Sequence, residues 1–167
     1  MNVLALDTSS DALVLGLQRG ETRTGVFEVL DRSHSREILP RITGLLKEAG
    51  LSLDELQLIV YGQGPGSFTG LRITVGVVQG LAFGLDIPVA PVSSLACLAQ
   101  EAYRRDHHER IAVALLARQQ EVFFGAYEIV DGIARLVDKE AVLDVENAPS
   151  LSGEGWVGIG SGWKFRE

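Results

Sequence analysis

The chain has 167 residues, 46% hydrophobic and 22% charged, with 15 lysines and arginines against 22 aspartates and glutamates and a formal charge of −7. That composition excludes disorder, coiled coil and collagen, and a chain of about 150 residues buries roughly 68–70% of its unfolded surface without a disulfide or structural metal. The negative balance repels nucleic acid and anionic membrane, and a single cysteine, Cys97, forbids an internal disulfide or a cysteine metal cluster and fits a reducing compartment. Glycine, at 19 residues, is over-represented and points to tight turns or close backbone approaches.

Met1 to Asp7 has no basic region ahead of its short apolar run, so no signal peptide is read there and the chain is expected in the cytoplasm. Val3 to Leu6, Ala12 to Leu17 and a run ending at Leu30 are strands joined by tight turns, which predicts an antiparallel start. From Ser33 the period becomes helical through Ile38, Ile42, Leu45 and Leu46, with Gly50 as the stop; Pro40 predicts a kink or a later beginning. Leu58 to Tyr61 reads as a buried strand, Gly62 to Gly66 as a loop, Phe68 to Gly84 as a helix capped by Ser67, and Ile87 to Pro91 as a strand. The helix Ser94 to Tyr103 follows, then a charge run from Arg104 to Arg110 taken as a boundary. Strands are expected at Ile111 to Leu116, Val122 to Ile129 and Ile133 to Val137. The reading is α/β: a mixed sheet with flanking helices over 1–103 and a smaller, partial unit over 104–167.

The second helix carries the strongest functional signal. Leu71, Val75, Val78 and Ala82 lie on one side and Ile73, Val77 and Leu81 on another, so the helix is apolar nearly all round and needs cover nearly all round. Gly76, Gly80 and Gly84, four apart, make a side-chain-free stripe, each glycine costing about 1 kcal/mol relative to Ala in a helix interior. Either the first helix of the same chain or another subunit should approach that stripe. The low-charge stretch Phe68 to Leu85 is short for a membrane span.

Other candidates are weaker. Asp7-Thr8-Ser9 places a carboxylate and two hydroxyls at a turn, able to hold a hydrated cation and a phosphate, or to form a plain Asx turn. Gly62 to Gly70 leads into a helix start but has neither the P-loop ending nor the Rossmann glycine order. His34 lacks a second ligand one turn on, because that position is Ile38, and Cys97 reads as a small core residue. Ser161-Gly162-Trp163-Lys164 matches an acyl-transfer spacing without its companion motifs.

Taken together, Leu4-Ala5-Leu6-Asp7-Thr8-Ser9, His34-Ser35 with Ile38-Leu39-Pro40, Gly64-Pro65-Gly66-Ser67-Phe68-Thr69-Gly70-Leu71-Arg72-Ile73 and Val92-Ser93-Ser94-Leu95 resemble the bacterial TsaB (YeaZ) family over residues 3 to about 100. The resemblance implies an actin-like, Hsp70-like ATPase fold of two ribonuclease-H-like halves. It implies a role in placing threonylcarbamoyl on adenosine beside the anticodon of tRNAs reading codons that begin with A.

In that family the protein is a non-catalytic paralogue of TsaD. It forms a heterodimer with TsaD, works with TsaE, self-associates in isolation and meets tRNA only through the complex. TsaD holds its metal through a His-x-x-x-His pair that here reads His34 and Ile38, so no catalytic residue and no metal are expected. The partner surface is expected at Ile38, Ile42, Leu45, Leu71, Val75, Gly76, Val78, Gln79, Gly80 and Ala82, and weak or vestigial ATP or ADP binding at Asp7, Thr8 and Ser9. Where relatives usually carry Asp-Ala-Arg this chain has Leu116-Ala117-Arg118, and relatives usually run on past a segment like Gly160 to Trp163, so a truncated or short form is read. The rival readings are an ATP-dependent phosphotransferase of the same fold and, more remotely, a peptidase.

Overall fold

The computed structural model describes residues 1–30, 33–147 and 149–165. They fall into two compact units, Met1–Val92 and a second beginning at Ser93. In the first, β1 (Asn2–Asp7), β2 (Ala12–Arg19) and β3 (Thr22–Val29) form an antiparallel meander. β4 (Leu58–Gly64) lies parallel to β1, and with β5 (Val89–Ser93) the order is β3-β2-β1-β4-β5. The register sets Leu4 opposite Leu17 and Leu6 opposite Leu15, so strand alternation turns these leucines, with Leu13 and Ile59, into one buried cluster.

Helix α1 (His34–Glu48) supplies Ile38, Ile42, Leu45 and Leu46 to that cluster, and α2 (Phe68–Leu85) supplies Val78. Ile38, Ile42, Leu45 and Val78, expected on a partner surface, are therefore core residues, each no more than 3% exposed. The i, i+4, i+7 stripe that looked like an interface is the stripe the sheet itself must take. α1 begins at His34 and runs through an exposed Pro40, so it does not start later, and Gly50 follows it at φ +63°, the left-handed stop the sequence suggested.

Ser67 caps α2, its hydroxyl accepting from the Gly70 N–H at 3.2 Å. At the other end Asp86 takes φ 54° and the Ile87 N–H returns to the Ala82 carbonyl. Ile87 thus belongs to the helix end, which is why β5 starts at Val89 and not at Ile87.

The second unit opens with α3 (Ser94–Asp106), whose first amides, Leu95 and Ala96, are capped by the Ser93 hydroxyl. β6 (Arg110–Arg118), β7 (Glu121–Val130) and β8 (Ile133–Leu136) are antiparallel neighbours, β9 (Ala141–Asp144) continues along β7 beside Glu121 to Phe124, and β10 (Trp156–Ile159) runs parallel to β6. Three antiparallel strands with a parallel strand beside the first repeats the plan of the first unit.

α3, counted with the first unit in the sequence reading, packs on β6, β7 and β8, so the division falls at Ser93 and not after residue 103. Leu95, Ala99 and Ala102 form its buried stripe, joined by Ile111, Val113 and Tyr127. Cys97 lies off that stripe and is exposed, correcting its reading as a core residue. The Tyr127 hydroxyl donates to Glu140 at 2.5 Å; burial first, then that bond, raises its pKa and keeps it a donor.

Candidate functional site

The outer side of α2 is left open by the described residues of its own unit. Phe68, Arg72, Gly76, Gln79, Gly80 and Phe83 are all exposed, and a β-carbon placed on Gly76, Gly80 or Gly84 meets nothing within 4 Å. Residues four and three apart share a helix face, so two aromatic rings, 67% and 91% exposed, bracket a stretch in which Gly76 and Gly80 present no side chain beside those of Arg72 and Gln79. Of the expected partner residues, Gly76, Gln79 and Gly80 are open, and Leu71, Val75 and Ala82 are half-buried.

The sequence reading missed Phe83 and Phe68, although both continue the glycine stripe by steps of three or four. It also missed Leu39 on α1, 51% exposed beside the buried Ile38. By length and composition α2 could cross a membrane, contrary to the expectation that it is too short. Its inner side is nonetheless committed to the sheet through Gly70, Thr74 and Val78.

That inner side ends in a closed latch. Thr8, at the end of β1, is 0% exposed; its N–H donates to the Thr74 hydroxyl at 3.0 Å and its own hydroxyl donates to the Gly70 carbonyl at 2.8 Å. The two hydroxyls are 2.8 Å apart, which leaves Thr74 as the donor between them and every donor in the circuit used. The Asp7 carboxylate accepts the Ser9 N–H at 2.6 Å as an Asx turn, and the Ser67 N–H donates to the Ser9 carbonyl at 2.6 Å. Gly62 and Gly70 are what allow the approach: a β-carbon on Gly62 would overlap the Asp7 carboxylate, and one on Gly70 the Thr8 carbonyl. Of the trio expected to bind nucleotide, the structure spends the Thr8 side chain on holding α2 to β1.

A cleft of about 620 Å³ beside the latch is lined by Ser10, Asp11, His34, Ser67 and Thr69 among others. His34 is buried there, its Nε2 without a hydrogen-bond partner among the described residues. Ile38, one turn on from His34, lies in the core and offers no second ligand, and among the described residues no group of three His, Cys, Asp or Glu comes together that could hold a metal ion. Ser161, the acyl-transfer candidate, accepts the Leu116 N–H at 3.1 Å, and Leu116 stands exposed where an aspartate was looked for.

These sheets and helices define an α/β protein of the actin-like, ribonuclease-H-like class, and the family model for TsaD, tRNA N6-adenosine threonylcarbamoyltransferase, matches residues 24–159. Over 98% of its length the chain is 40% identical to tRNA threonylcarbamoyladenosine biosynthesis protein TsaB of Escherichia coli, of which it covers 73%. It is 44% identical to the Haemophilus influenzae protein of that name over 74% of this chain and 52% of the relative. The solved structure of YeaZ from Pseudomonas aeruginosa superposes with a TM-score of 0.93 at 45% identity, over 97% of this chain and 76% of the other. The chain belongs to the TsaB (YeaZ) family.

Proposed function

We propose that the chain is a non-catalytic scaffold in tRNA threonylcarbamoyladenosine biosynthesis, docking the outer face of α2, flanked by α1, onto TsaD. The observation that carries this reading is the empty glycine hollow between Phe68 and Phe83, on a helix whose other side is locked to the sheet. Among the described residues nothing in the unit fills that hollow, yet each glycine in it costs helix stability, so the hollow suits the close approach of another helix. A scaffold holding TsaD in its active form, with TsaE in the same complex, needs no metal and no direct tRNA contact of its own. That fits the broken His34/Ile38 pair and the charge of −7. On this reading the chain is cytoplasmic and self-associates through α2 when alone.

The latch disfavours an ATP-dependent phosphotransferase built on Asp7, Thr8 and Ser9, since the Thr8 hydroxyl would have to leave both its partners to meet a phosphate. Any residual ATP or ADP affinity would then be weak.

The test is Gly80→Leu. In the monomer, at concentrations too low for self-association, the leucine has open space and better helix propensity, so thermal unfolding should rise by about 2–4 °C for a gain of about 0.8 kcal/mol. Titration calorimetry should find TsaD binding weakened at least about tenfold, because the hollow is filled. Unchanged TsaD affinity would remove the hollow from the account.

A further inference from the structure

The charge on the docking face has the opposite sign to that of the chain. α2 carries a single ionisable side chain, Arg72, on a protein whose net charge is −7. Arg72 is exposed, its guanidinium lies over the Phe68 ring 4.0 Å from the centroid, and none of the ion pairs among the described residues includes it. On neighbouring α1 the carboxylate of Glu37 is taken by Arg41, while Arg36, Lys47 and, at the last position, Glu48 stand exposed.

Stacking on an aromatic face fixes the plane of a guanidinium and leaves its N–H edge outward, the arrangement that meets a carboxylate with two parallel hydrogen bonds. A side chain already held that way loses less freedom on binding than a free arginine would. Arg72 sits four residues before Gly76 on the same face, so its edge opens at the end of the hollow.

Resting on the docking reading above, we infer that Arg72 selects the partner: it takes a carboxylate from an acidic face of a different protein. A second copy of this chain is the poorer occupant. Paired through α2, it brings another Arg72 and no acid from within that helix, the next acid along the chain being Asp86, just past its C-terminal end. Heterodimer formation then gains a charge-assisted contact that self-association lacks.

The experiment measures TsaD binding by calorimetry and self-association by light scattering for the wild type, Arg72→Ala, Arg72→Lys and Phe83→Asp, at roughly 0.1 M and 1 M salt. Arg72→Ala should weaken TsaD binding about ten- to a hundredfold at the lower salt, lose most of the salt dependence and leave self-association within about twofold. Arg72→Lys should recover only part of the loss, since an ammonium lacks the fork. Arg72→Ala binding like the wild type while Phe83→Asp does not bind would overturn the arginine's role and leave the docking face standing. Equal losses in both associations would also overturn it. If neither variant loses TsaD affinity, the docking reading falls with it.

Discussion

Phe83→Asp leaves the isolated chain folded and abolishes its pairing with TsaD. Phe83 is 91% exposed and belongs to no buried cluster, so replacing it removes little from the free protein. On the docking reading the same position, three residues past Gly80, faces the partner. An aspartate enclosed there without a counter-charge costs several kcal/mol, and the large aromatic contact is lost as well. The affinity should fall by at least about a hundredfold, with the unfolding temperature of the dilute monomer within about 2 °C of wild type. Retained calorimetric binding by a folded Phe83→Asp variant contradicts the placement of the interface. Val78, an obvious choice from the sequence, would mislead, because at 3% exposed its replacement by aspartate unfolds the core.

The second large effect separates two glycines on one helix. Gly70→Ala should destabilise the chain by at least about 3 kcal/mol, a large share of the roughly 5–15 kcal/mol typical of a domain. The new methyl overlaps the Thr8 carbonyl, which is backbone, and to make room α2 must leave β1 and break the hydrogen bonds Thr8 makes with Gly70 and Thr74. Gly76→Ala, six residues on, has empty space around it and should stabilise by about 1 kcal/mol. Thermal unfolding reads both: a fall of roughly 6–12 °C for the first and a rise of roughly 2–4 °C for the second. Shifts of the same sign would mean that the latch is not what fixes the helix.

The difference between those glycines marks how far the sequence is legible. Period-two and period-3.6 patterns are local, so the meander, the three helices and the Ser67 cap could be read directly, and the spacing of Gly76, Gly80 and Gly84 exposed the hollow. The latch could not be read, because its partners are 62 and 66 residues apart and only the fold brings them together. Ile38, Ile42 and Leu45 show the converse failure: an apolar stripe announces that something covers it without saying whether that is a partner or the chain's own sheet. β9, four residues among charged ones, and β10, four residues among glycines and turns, carry too little pattern to stand out, and α3 could be assigned to its unit only by seeing which strands it packs on. Phe83 and Arg72 were visible as residue types, but their value depends on exposure.

The central claim is that this chain works by docking α2 on TsaD while the chemistry happens elsewhere. Light scattering of the purified chain mixed with TsaD, with and without ATP, tests it most directly. The account predicts a one-to-one complex for the wild type that is absent for Phe83→Asp. Two components that keep their separate masses under both conditions would contradict it.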